Sequence, residues 1–119
     1  MNLYEFIRKG KKLAEKKFQT INVDNINKYI KIVTLERENF SNAFNTKMAE
    51  ELLSFFQNMN VENHPDLRCI IISGSGNKAF CAGGDLKERL GMNVSSWNKQ
   101  HLIFEKMIRS IIDCKIPII

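Results

Sequence analysis

Two adjacent glycines, Gly83 and Gly84, lie within the segment Asn77-Lys78-Ala79-Phe80-Cys81-Ala82-Gly83-Gly84-Asp85-Leu86-Lys87-Glu88-Arg89. The apolar run before it, Leu67-Arg68-Cys69-Ile70-Ile71-Ile72-Ser73, reads as a buried strand. Leu86-Lys87-Glu88-Arg89-Leu90 reads as a short helix. Glycine lets a backbone N–H approach a ligand with no Cβ in the path. A helix N-terminus aims unpaired N–H groups at negative charge. Together these features suit the stabilisation of a developing oxyanion. The loop has neither a Walker lysine nor a third glycine at dinucleotide spacing, so it does not match the nucleotide-binding loops.

The side chains around these glycines carry competing readings. Taken alone, Gly83-Gly84 also fits a tight strand-to-helix turn. Asp85 reads as a helix cap before an acid catalyst, with Glu88 three residues on in a variant of the capping box. Lys87 is either a solvated helix lysine or a phosphate contact. Cys81 has no nearby base in the sequence and reads as a small packing residue. Cys69, Cys81 and Cys114 are widely spaced, with no CxxC or Cys/His cluster, so neither a metal site nor a disulfide framework is expected. Scattered cysteines fit a reducing compartment. His64 and His101 lack metal-ligand spacing and read as structural or solvent-facing.

The elements that must position these residues follow from periodicity. Phe18 to Val23 and Tyr29 to Leu35 alternate as strands, with a turn at residues 24–28, which gives a β-hairpin. An irregular connection over residues 36–45 leads to a helix over residues 46–59. Asn45 is its expected N-cap, and Met48, Leu52, Phe55, Phe56 and Met59 form its apolar stripe. After the strand, the glycine loop and the short helix, a longer helix is expected from about Ser96 to Asp113, started by Ser95 or Ser96. Its broad apolar face predicts deep burial. Lys115-Ile116-Pro117-Ile118-Ile119 begins another strand. The order β-β-α-β-α-α-β predicts an α/β fold with some parallel pairing, cut within its last strand.

The 119 residues allow one domain, and the net charge is +5. Residues 1–17 hold +4 of that charge on a basic amphipathic segment, read as an N-terminal extension to a body over residues 18–119. The body is nearly neutral, so no nucleic-acid surface is expected. No apolar run is long enough for a membrane span, and residues 1–17 lack the apolar core of a secretory signal. A cytoplasmic location is expected, or a mitochondrial one if residues 1–17 act as a targeting segment.

Arg37-x-x-x-x-Asn42-Ala43-Phe44, a helix, a strand, and then Phe80-Cys81-Ala82-Gly83-Gly84-Asp85-Leu86-Lys87-Glu88-Arg89 together resemble the crotonase family of enoyl-CoA hydratases and isomerases. The spacing of the two motifs and the run Asp113-Cys114-Lys115-Ile116-Pro117-Ile118-Ile119 extend the likeness over about residues 18–119. The resemblance implies the N-terminal portion of a ββα spiral, acyl-CoA thioester substrates, and a homotrimer or hexamer at full length. It implies no bound cofactor; coenzyme A enters as part of the substrate. Position by position, Gly84 resembles the first of two backbone donors to a thioester enolate. Ala82 and Gly84 resemble the backbone positions that recognise adenine or line the thiol arm of CoA. Phe40, Ser41 and Ala43 resemble the other wall. Asp85 and Leu86 resemble residues that hold the loop, and Lys87 is placed to meet a CoA phosphate.

The sequence departs from the family at Glu38, where proline is common, and at Asn39, where a basic residue often stands. The family's second donor and its catalytic glutamates correspond to positions beyond Ile119, so the chain alone is expected to be inactive. Glu88 is expected to face away along its helix. Two other readings remain open at this level: a noncatalytic CoA-binding or subunit-interaction protein, and a basic surface-binding module acting through residues 1–17.

Overall fold

The computed structural model describes residues 18–119. The helix expected within residues 1–17, and any role for it as a targeting or binding segment, lies outside the described residues. A three-stranded sheet in the order β1-β2-β3 is built from Ile21–Asn27 (β1), Ile30–Leu35 (β2) and Cys69–Gly74 (β3). β1 pairs antiparallel with β2 from Ile21 opposite Leu35, and β2 pairs parallel with β3 from Ile30 beside Cys69 to Leu35 beside Gly74. The helices are Thr46–Gln57 (α1), Leu86–Leu90 (α2) and Val94–Ile112 (α3). α1 makes the crossover that parallel pairing of β2 and β3 requires. The chain end runs beside β3: Ile70 N–H donates to Pro117 O and Ile72 N–H to Ile119 O, each at 2.9 Å. The expected fourth strand thus begins as parallel pairing on β3.

The hairpin forms, but its turn differs from the expected one. β1 continues through Asp24 and Asn25, and the reversal is confined to Lys28-Tyr29. Turn-forming residue types at 24–27 are overruled by cross-strand partners. Asp24 lies opposite Ile32 and Asn25 opposite Lys31, whose Nζ donates to Asn25 Oδ1 at 2.7 Å; within β1 itself, Asn22 Nδ2 donates to the buried Asp24 Oδ2 at 2.6 Å. Asn27 then makes the Asx-type turn, accepting from the N–H groups of Tyr29 and Ile30. β1 also starts three residues later than expected, at Ile21. The Glu51 carboxylate takes the N–H groups of Gln19 and Thr20, each at 2.8 Å, and so removes them from strand pairing.

The core lies between α1 and the sheet. Met48, Leu52, Phe55 and Phe56 are buried along α1, as its stripe predicts, and meet Ile21, Val33 and Leu35. Asn45 caps α1, accepting from Met48 N–H at 2.8 Å. α3 packs on α1 chiefly through the buried Met107. Asn93, not Ser95 or Ser96, is its N-cap and accepts from Ser96 N–H at 2.8 Å. The broad apolar face of α3 is not deeply buried. Of Ile103, Phe104, Met107, Ile108, Ile111 and Ile112, Met107 alone is buried, while Ile108 and Ile112 are 52% and 73% exposed.

Candidate functional site

The parallel strands β2 and β3 deliver two loops to the same edge of the sheet, beyond their C-terminal ends. In open parallel sheets this edge is where ligands bind. The first loop leaves β2 through a 3-10 turn at Glu38–Phe40 and then places Ser41 and Asn42 at φ 51° and 55°. Asparagine is among the few non-glycine residues that adopt this left-handed conformation readily. Asn42 is almost wholly buried, and its amide is fully used. Oδ1 accepts from Arg37 N–H at 3.0 Å and from Ser75 Oγ at 3.2 Å. Nδ2 donates to Ser75 O at 2.9 Å and Ala79 O at 3.0 Å. One side chain therefore ties the exit of β2 to the exit of β3. Gly74 allows the approach, since a Cβ there would lie 2.5 Å from Phe80 O and 2.9 Å from Asn42 Nδ2.

The second loop is zipped along the first. Ala82 N–H donates to Ser41 O at 3.0 Å, Phe44 N–H to Gly83 O at 2.7 Å, and Asp85 N–H to Phe44 O at 2.7 Å. Gly83 makes the bend at φ 93°. Phe44 and Gly84 form a parallel bridge that uses the C=O of Gly83 and the N–H of Asp85. In that pattern the N–H and C=O of Gly84 itself point to the opposite side. Gly84 is exposed, and no described residue accepts from its N–H. The geometry leaves one fixed donor aimed off the outer side of the zipper.

Asp85 locks the loop to the start of α2. Its Oδ1 accepts from the N–H groups of Lys87 at 3.1 Å and Glu88 at 3.2 Å, as the cap reading predicts. Its Oδ2 pairs with Arg37 Nη2 at 3.0 Å, and Arg37 Nη1 donates to Ala43 O at 2.6 Å. Burial opposes ionisation of Asp85, but the Arg37 hydrogen bond, the two backbone donors and the nearby guanidinium charge outweigh it. They hold the carboxyl below its ordinary pKa. A carboxylate so occupied is a structural anchor. Phe40, half exposed, lays its ring 4.4 Å under the Arg37 guanidinium.

Phe40, Ser41 and Ala43 thus stand on one side of the zipper, with Ala82, Gly84 and Asp85 on the other. Leu86 and Lys87 lie at the exposed start of α2. Leu86 is 73% exposed, so any hold it has on the loop does not come from packing. Glu88 departs from the expectation. It does not return to the cap or face away, but accepts from Thr46 N–H and Oγ1 at 2.9 Å and from Gln100 Nε2 at 2.6 Å. It therefore places negative charge at the N-terminus of α1. Gln100, buried in α3, also accepts from Arg89 Nε at 3.0 Å. The sequence signal for this cluster is a glutamine on the apolar stripe of a helix, four residues before Phe104 and seven before Met107.

His64 lies at the other end of the sheet, in an open cleft of about 420 Å³ with Lys28, Lys31, Asn63, Asp66 and Leu67. Burial and the Lys31 charge lower its pKa. His101 stacks on Trp97 and pairs with Glu105 at 3.2 Å. Among the described residues no group of three His, Cys, Asp or Glu side chains could hold a metal. No described helix is long and apolar enough to cross a membrane.

Comparison with known proteins places this geometry in context. Residues 25–119 match the family model described as enoyl-CoA hydratase/isomerase. YngF of Bacillus subtilis, described as an enoyl-CoA hydratase/isomerase, is 41% identical over 64 residues, covering 54% of this chain and 24% of that protein. The mitochondrial 3-hydroxyisobutyryl-CoA hydrolase of Mus musculus is 45% identical over 56 residues, covering 47% of this chain and 14% of that protein. The crystal structure of enoyl-CoA hydratase from Bacillus anthracis superposes with a TM-score of 0.77 at 30% identity, covering 84% of this chain and 38% of that one. The chain therefore spans well under half the length of each protein.

Proposed function

Given that the chain belongs to the enoyl-CoA hydratase/isomerase family, we propose that it is the N-terminal part of an enzyme that binds acyl-CoA thioesters and stabilises their enolates with backbone N–H groups. The free, outward-facing N–H of Gly84 carries this reading. A thioester carbonyl placed there gains negative charge as the enolate forms. A preorganised donor acts on that charge without rearrangement and contributes about 2.7–4 kcal/mol to the transition state. The Arg37–Asp85 pair and Asn42 supply the rigidity by fixing both loops. Phe40, Ser41, Ala43 and Ala82 form the walls along which CoA lies, and Lys87, whose ammonium has no ion-pair partner among the described residues, meets a phosphate. No cofactor is needed, since CoA carries the acyl group and the protein positions and polarises it.

In this reading the second donor and the proton-transferring carboxylates come from sequence corresponding to positions after Ile119. Hydration or isomerisation then requires that part, and assembly as a homotrimer or hexamer belongs to the full-length enzyme. The test is equilibrium binding and turnover with the purified 119-residue chain. Binding of crotonyl-CoA without hydration is expected, and measurable hydration by this chain overturns the division of labour.

A second reading, a noncatalytic CoA-binding or subunit-interaction protein, is favoured by the open apolar face of α3. A defined oligomer of this chain that binds CoA in solution supports it, and a monomer without CoA affinity eliminates it.

A further inference from the structure

Arg89 sits beside Gly84. A Cβ built on Gly84 would find the Arg89 guanidinium as its nearest neighbour, with Cζ, Nε and Nη2 each at 3.8 Å. Three contacts hold the group in place. Nε donates to the buried Gln100 Oε1 at 3.0 Å, and the guanidinium lies 5.4 Å from the Phe104 ring centroid and 5.8 Å from that of Trp97. None of these partners is anionic. Nη1 and Nη2 donate to no described residue, and no described carboxylate forms an ion pair with Arg89. A half-buried cation held by a neutral amide and two aromatic faces is oriented, and no described residue neutralises it.

We propose that Arg89 is a specificity-determining residue whose Nη1 and Nη2 pair with a carboxylate on the acyl chain of the thioester held at Gly84. The chain then prefers dicarboxylic acyl-CoA thioesters over plain ones. The inference rests on the acyl-CoA reading above. The planar fork of a guanidinium matches a carboxylate through two parallel hydrogen bonds. A guanidinium held in place with no described carboxylate on it offers a standing site for an anion carried by the substrate itself. The CoA phosphates are assigned to Lys87, two residues earlier on α2. Residues two apart on a helix do not share a face.

Trp97 is the only tryptophan of the chain, so its fluorescence reports on this position. The experiment titrates the 119-residue chain with succinyl-CoA, butyryl-CoA and CoA, following Trp97 emission and the heat of binding. Succinyl and butyryl groups have the same number of carbons and differ in the terminal carboxylate. Succinyl-CoA is expected to bind at least about tenfold more tightly than butyryl-CoA, the value of a charge-assisted pair. Arg89→Gln is expected to abolish that ratio and leave CoA affinity unchanged, while Arg89→Lys keeps part of it. A purely structural role would lower the melting temperature of both variants without changing the ratio. Equal binding of the two thioesters by the unaltered chain overturns the inference and leaves the acyl-CoA reading standing, a result that needs no variant to fold. Equal weakening of all three ligands by Arg89→Gln also overturns it, because the charge then serves the CoA end. If none of the three binds, the acyl-CoA reading falls and the inference with it.

Discussion

Asn42 and Asp85 do different work at the same edge of the sheet. Asn42→Ala removes four hydrogen bonds, leaves Ser75 O and Ala79 O without that donor, and places alanine at φ 55°. A loss of about 2–4 kcal/mol is expected in urea denaturation. Asn42→Gly separates the causes, since it keeps the backbone conformation and loses only the amide. Asp85 carries a pH signature. Its folded pKa is depressed, so its stabilisation is fully present above the unfolded value of about 3.9 and is lost as pH falls through the lower folded value. Asp85→Asn is expected to lower stability at pH 7, and the gap to the unaltered chain should narrow in acid. A gap independent of pH down to about 2 contradicts the pairing with Arg37. Asp85 as a cap could be read from its place before an amphipathic run. The hub role of Asn42 could not, because its partners lie 33 and 37 residues away.

At the scale of elements, α1 and α2 follow their local signals closely. A polar cap, a stripe at helical spacing and a short charged run each act within one or two turns. β1 and α3 show where local signals stop. Asp24 and Asn25 read as turn residues until β2 supplies partners across the sheet. The apolar face of α3 reads as buried because periodicity reports which face is apolar, not what covers it. Gln100 is the polar member of that stripe and joins α1, α2 and α3 through Thr46, Glu88 and Arg89. Gln100→Ala is expected to cost about 1–3 kcal/mol in chemical denaturation, the range for leaving buried polar partners unmade. A change below about 0.5 kcal/mol, the range of ordinary surface substitutions, would show that the cluster does not tie the helices.

For the whole molecule, the strands, the crossover helix and the glycine loop form one support for a single outward N–H. That donor was legible in the glycine pair and its flanks. Its direction was not, because that depends on the bridge between Phe44 and Gly84, forty residues apart in sequence. In the proposed function, Gly84 N–H meets the thioester oxygen of an acyl-CoA. A chain of 13.8 kDa allows this to be followed directly by ¹H–¹⁵N correlation spectroscopy during titration with butyryl-CoA. A downfield proton shift at Gly84 is expected, with smaller changes at Phe40, Ser41, Ala43, Ala82 and Lys87. Saturable binding that leaves the Gly84 amide unmoved would contradict it.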